Sequence, residues 1–421
     1  MKQHTLSSSS SASPCPAAVA ISDTPAPQNA VYNSQAAAIV FSCGIVFKVS
    51  SLPGLVYTDM LSDTLWLYLL MCALDVACLA AVFFFAASGA DAALVRTNSP
   101  AYKVFSFLLT AFFLVKGLFY FTYTLIFLLV DLFVEVEPYV VVLVLSIPVL
   151  YAGSKGISAV ARAAELLAPL LFGLVVANLA LLEADLDVGR NLPLAAMPTG
   201  DFFSRGLRYG LWLGDCFPLA FAALKRKKFP YLAVGTGVSY TLVVVIAMLS
   251  VALYGGALPY AYNMLIRIAG FNRLSLEIGR LEWAALFVVA VMAVLGLALT
   301  MWGAGEGSRR WAGSPLPGRI AFAACTVVTA LTVPNAQDII DFSMTDFGYA
   351  MFAAALAFAA AFLCFALYAR KKLAPAPDDK NPQNGNGETG DGTQEKSCKE
   401  AQGKSRGDGR EENDAEKEVA P

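Results

Sequence analysis

The sequence predicts an all-α integral membrane fold of ten transmembrane helices, and three observations lead there. Of 421 residues, 57% are hydrophobic and only 15% charged, against about 25% charged in soluble domains, and mean hydropathy is +0.61. Apolar residues gather in blocks such as Val104 to Val130 and Val234 to Leu253, each long enough to cross a hydrocarbon layer of ~30 Å as a helix. Lys and Arg alternate in density from one connection to the next, the mark of a polytopic chain.

Ten spans are predicted near 35–56, 64–87, 104–130, 138–152, 159–182, 203–224, 230–254, 280–304, 317–334 and 347–369. The fourth and ninth are short and must stand steeply or reach part-way. One set of connections carries Arg96, Lys103, Lys155, Arg162, the run Lys225-Arg226-Lys227-Lys228, Arg309, Arg310, Arg319 and Arg370-Lys371-Lys372, fourteen cations in all. The other set has six cations and carries Asp59, Asp63, Asp131, Glu135, Glu137, Asp338, Asp341 and Asp346. By the positive-inside rule both termini face the cytoplasm.

Two polar stretches flank the body. Residues 1–33 are Ser/Ala/Pro-rich, without the compact charged-then-apolar pattern of a secretory signal. Residues 34–372 form the ten-span domain. Residues 373–421 hold seven Lys/Arg and twelve Asp/Glu with few aliphatics, a disordered cytoplasmic tail whose Cys398 is open to modification. The tail leaves 23 basic and 20 acidic residues elsewhere, from totals of 30 and 32. Such a body offers no clustered cations for nucleic acid.

Composition excludes further chemistry. The lone histidine, His4, lies in the leader, which removes His-based catalysis and most metal ligation. Cys43, Cys72, Cys78, Cys216, Cys325 and Cys364 sit singly in apolar segments, as small hydrophobes do. No phosphate loop, nucleophile elbow or paired-carboxylate signature stands in a suitable context. No enzyme activity, catalytic residue, cofactor or metal is expected.

Interruptions within spans carry the functional signal. The first span reads SCGIVFKVSSLPG, with Gly44, Lys48, Ser50, Ser51, Pro53 and Gly54; the sixth reads RYGLWLGDCFPLAF, with Gly210, Gly214, Asp215 and Pro218. Each opens one half of the ten-span body. Paired Gly/Pro interruptions of this kind point to a 5+5 inverted-repeat, transporter-like fold with broken helices 1 and 6 and a midplane site. Simple kinks are the alternative. An intramembrane charge costs at least ~2.5–3.5 kcal/mol on insertion scales, and four stand out: Lys48, Asp75, Lys116 and Asp215. They line a polar cavity, form a structural ion pair, or, for a lysine, snorkel to a headgroup. Tyr120 and Tyr123 offer hydroxyls on the aromatic third span, where core packing is the competing role.

Three further stretches read together. The fifth span opens GISAVARAAELLAPL, with Arg162, Glu165 and Pro169; the second opens SDTLWLYLL, with Asp63 and Trp66; before the eighth runs IRIAGFNRLSLEIGRLEW, ending at Trp283. With ten spans and a broken first helix, this pattern resembles the spore germination permeases, the B subunits of nutrient germinant receptors, in the amino acid–polyamine–organocation superfamily. The likeness covers roughly residues 33–372. It implies Arg162 and Glu165 as a structural pair, which at i,i+3 also share a helix face. It implies a pocket between the first, sixth, third and eighth helices, here at Gly44, Ser50, Ser51, Gly210, Gly214, Asp215, Lys116 and Tyr120, with Lys48 an unexpected cation at the break. The implied role is a membrane subunit that binds a small nutrient, an amino acid, in the inner membrane of a spore-forming bacterium and signals germination with other receptor subunits. An ion- or proton-coupled amino acid transporter on the same fold is the alternative. A channel or scaffold without ligand specificity is a third.

Overall fold

The computed structural model describes residues 30–50, 52–131, 136–182, 186–192, 196–224, 228–260, 264–270, 282–332 and 335–373. These belong to a unit that ends at Ala374. The expected tail, nearly all of the expected leader, Ser51 and Lys225 to Lys227 lie outside the described residues.

The first expected span falls on α1 (Asn33–Ser50) and α2 (Leu52–Met60), which lie on either side of Ser51; the expected break of the span falls on that residue, outside those described. A parallel strand pair just before α1 joins β1 (Ala30–Val31) to β2 (Ala223–Leu224). Next come α3 (Thr64–Ser88), α4 (Ala90–Arg96) and α5 (Pro100–Asp131). Gly89 ends α3 in the left-handed conformation at φ 69°, its N–H returning to the Ala86 carbonyl, a stop that favours glycine. Pro100 starts α5 where no intrahelical N–H is needed.

Helices α6 (Pro138–Ser154) and α7 (Ile157–Ala180) follow, each holding an internal proline. The second half contains α8 (Thr199–Gly206), α9 (Phe229–Tyr254), α10 (Met264–Ala269), α11 (Glu282–Ala312), α12 (Leu316–Thr332), α13 (Ala336–Ser343) and α14 (Asp346–Leu373). Six segments are long and apolar enough to cross a membrane; Asn33–Val49, Pro138–Ser154 and Leu316–Thr332 are shorter apolar helices.

The sixth expected span departs most from a helix. After α8 it runs through a 3-10 segment, Leu207–Trp212, an extended Leu213, Gly214 at φ 77°, a turn at Asp215–Cys216 and a second 3-10 segment, Phe217–Phe221. A polar backbone this irregular survives at membrane depth only inside protein, and residues 209–214 are buried. Helix α11 lies centrally, with 72% of its most apolar window buried, and packs on α5, α6 and α1; α7 and α14 are peripheral at 28% and 22%.

Candidate functional site

Four elements converge on the interruption in the sixth segment. Helix α1 delivers Lys48 from its last turn. Helix α3 brings Asp75, α5 brings Lys116 and Tyr120, and α9 brings Tyr240. Gly214 supplies the positive φ that turns the chain, and a Cβ there would lie 2.6 Å from the Phe217 ring. That turn places Asp215 at the centre.

The charges form one closed group. The Lys48 ammonium bridges the carboxylates of Asp215 (Oδ2, 2.8 Å) and Asp75 (Oδ2, 3.1 Å). The Lys116 ammonium meets Asp215 Oδ1 at 2.6 Å and donates to the freed Leu213 carbonyl. Tyr120 donates to Asp215 Oδ1 at 2.5 Å. Asp75 also accepts from the Gly214 N–H at 3.0 Å and from the Tyr240 hydroxyl. None of the four charged side chains is more than 10% exposed. Two lysines and two aspartates cancel, and each has hydrogen-bonding partners, as buried ions require. The pairing unites two readings of the sequence: the charges form ion pairs, and the same pairs line small cavities.

One cavity, of about 20 Å³, touches Asp75, Asp215, Cys43, Gly44, Ser239 and Tyr240. A second, of about 10 Å³, touches Lys116, Tyr120, Gly214, Asp215, Gly296 and Thr300. Each has room for about one water. Rings roof the charges: Phe47 stacks on Tyr120 with centroids 3.8 Å apart, and Tyr120 stacks on Trp212 at 5.6 Å.

The expected site residues fall into three groups. Lys48, Lys116, Tyr120, Gly214 and Asp215 come together; Gly44 lines the cavity from within α1, six residues before that helix ends. Gly210 stands apart, because an added Cβ would lie 2.4 Å from the Phe352 backbone nitrogen; it serves close packing of α14. Ser50 closes α1, and Ser51 lies outside the described residues. Arg162 and Glu165 make no ion pair with each other. Arg162 Nε donates to the Ser158 carbonyl at 3.2 Å, and Glu165 accepts from Ser34 Oγ at 2.6 Å. Tyr123 turns away from the charges to the Ser343 hydroxyl, 3.0 Å off. The pocket implied between the first, third, sixth and eighth helices also draws on the second and seventh, through Asp75 and Tyr240.

Both ends of the cluster are tied shut. Near the start of α3, Tyr209 donates to the Leu55 carbonyl (3.0 Å) and Asp59 Oδ2 (2.9 Å), while Asp63 accepts from the Ala196 and Met197 N–H groups at 2.9 and 2.7 Å. Beyond its far end, Arg310 grips Asp91 through two nitrogens, at 3.2 and 2.8 Å, and pairs with Glu306. Tyr102 donates to Asp91 at 2.5 Å, and the Arg310 guanidinium lies 4.4 Å from the Phe221 ring centroid. Among the described residues no group of His, Cys, Asp and Glu is arranged to hold a metal ion.

No protein-family model matches the chain, and no curated protein matches it. The chain is similar to a solved structure of a Na+-coupled sialic acid symporter in its substrate-bound outward-open state. Identity is 13%, over 80% of this chain and 78% of that one, with a TM-score of 0.48. The class of molecule is a helical integral membrane protein, with six segments long and apolar enough to cross a bilayer among the described residues. Its particular signature is a non-helical sixth segment that meets α1, α3 and α5 at a buried, neutral four-charge cluster.

Proposed function

We propose that this chain is a secondary transporter for a small zwitterionic nutrient, an amino acid, bound between the interrupted first and sixth segments. One observation carries the proposal: Lys48, Asp75, Lys116 and Asp215 are gathered at the interruption of the sixth segment, none more than 10% exposed. Buried intramembrane charges are costly and mark ligand or ion paths. A ligand ammonium would be received by the aspartates and its carboxylate by the lysines, with no change in net charge of the site. The pairs seen at both ends of α3 are the two gates that would open in turn.

In this reading the six long helices, the three shorter ones and the sixth segment make ten crossings. Both termini lie in the cytoplasm, following the Lys/Arg asymmetry. The second reading is a germinant-receptor subunit that binds the same ligand without moving it and passes a shape change to partner subunits. It is favoured by the water-sized cavities, which suit a site that senses without a through-path, and by the family likeness of the fifth and eighth spans.

Uptake of radiolabelled amino acids into proteoliposomes, with and without Na+ and pH gradients, decides between them when binding is measured on the same preparation. Gradient-dependent accumulation that disappears in Asp215→Asn supports transport. Binding without accumulation transfers the conclusion to sensing. Absence of both overturns the amino acid assignment for the chain acting alone.

A further inference from the structure

The two lysines at the site are held differently. Lys116 is anchored to backbone, donating to the Leu213 carbonyl as well as pairing with Asp215. Among the described residues, Lys48 is held by two carboxylate oxygens, Asp75 Oδ2 and Asp215 Oδ2, with the Tyr240 ring 5.1 Å away. We propose that Lys48 is a tethered occupant: its ammonium fills a primary-ammonium site formed by Asp75, Asp215 and Tyr240, and a ligand amine enters by exchange with it. The proposal rests on the reading of this cluster as a ligand site and adds how that site is kept closed when empty of ligand.

The charge count supports exchange. With Lys48 in place the four side chains sum to zero; without it they carry one negative charge, facing a position already shaped for one monovalent cation. Its departure strands neither carboxylate. Asp75 keeps the Gly214 N–H and the Tyr240 hydroxyl, and Asp215 keeps Lys116 and Tyr120. A cavity of about 20 Å³ touches all three residues of the proposed site, Asp75, Asp215 and Tyr240. A cation that leaves only when another arrives makes the closed state self-sufficient, and ligand affinity then reports a difference between two ammonium groups.

Chemical rescue tests this on the full-length protein in detergent. Lys48→Ala retains Cβ, so n-propylammonium supplies the missing atoms. Thermal unfolding is followed for wild type, Lys48→Ala and Lys116→Ala, with n-propylammonium or with tetramethylammonium chloride at equal ionic strength. The expected result is a rise of about 5 °C for Lys48→Ala with n-propylammonium, the scale set by ligand linkage, and no such rise for wild type, for Lys116→Ala or with tetramethylammonium. Should Lys48→Ala be unrecoverable without amine, monodisperse protein obtained only when n-propylammonium is present during purification is the same result, and Lys48→Met keeps most of the stem volume for direct comparison. Equal responses of wild type and both variants, or no response in any, overturn the exchangeable site. Rescue in Lys48→Ala together with no amino acid binding by wild type upholds the ammonium site and overturns the amino acid reading.

Discussion

Asp215 answers to two ammonium groups at once, which makes it the residue whose loss is least easily absorbed. Replacing it with Asn leaves Lys48 paired with Asp75 alone and takes from Lys116 the carboxylate it pairs with in a buried site. Removing one member of a buried charge pair costs about 3–5 kcal/mol, so Asp215→Asn lowers the unfolding midpoint well below wild type, and the double change Asp215→Asn with Lys48→Met recovers part of the loss. A double-mutant cycle in detergent measures this directly; strictly additive effects would deny the coupling. Gly214 depends on geometry rather than charge. Its φ of 77° and the Phe217 ring 2.6 Å from any added Cβ predict that Gly214→Ala destabilises by about 1–3 kcal/mol, read in the same melt.

At the scale of elements, the Arg310 group fastens the end of α11 to α4 and to the second 3-10 segment of the sixth span. Arg310→Met leaves Asp91 and Glu306 facing each other without their shared cation, although Arg309 stays 3.2 Å from Glu306. The expected outcome is a looser far end, seen as faster alkylation of the cavity cysteine Cys43 by a small thiol reagent; an unchanged rate would assign the group to stability alone. The elements also show what the sequence made legible. Apolar blocks set most of the long helices within a few residues, because a span has to be continuous and apolar; α11 runs eight residues past the expected end at 304, to Ala312, through the polar stretch with Glu306, Arg309 and Arg310. The interruption of the sixth segment was legible because Gly214 and Pro218 stood beside Asp215. Tyr240 was hidden: a tyrosine in an unbroken apolar span reads as packing, and only the fold brings it to Asp75. Arg162 and Glu165 misled for the converse reason. Their spacing permits a bond, but Ser34 on another helix and the Ser158 carbonyl take the two groups instead.

For the whole molecule, the charge asymmetry of the connections predicts orientation. Single cysteines placed at exposed Glu137 and Ser154, at opposite ends of α6, in a background freed of native cysteines, give opposite results with an impermeant maleimide on intact cells. Glu137→Cys is labelled and Ser154→Cys is protected until lysis; the reverse pattern would invert the topology.

The cluster has a consequence for biogenesis as well. Lys48 and its partner Asp215 are 167 residues apart in the chain, and synthesis proceeds from the N-terminus. Helices α1, α3 and α5 are therefore made before Asp215 and carry Lys48, Asp75 and Lys116, one cation in excess. Asp75 quiets Lys48 as soon as the first two spans pair, while Lys116 waits for the sixth segment. The nascent first half is electrostatically unfinished, and the aspartate that completes it arrives with the second half. A single carboxylate is thus both the centre of the site and the clasp that joins the halves of the protein.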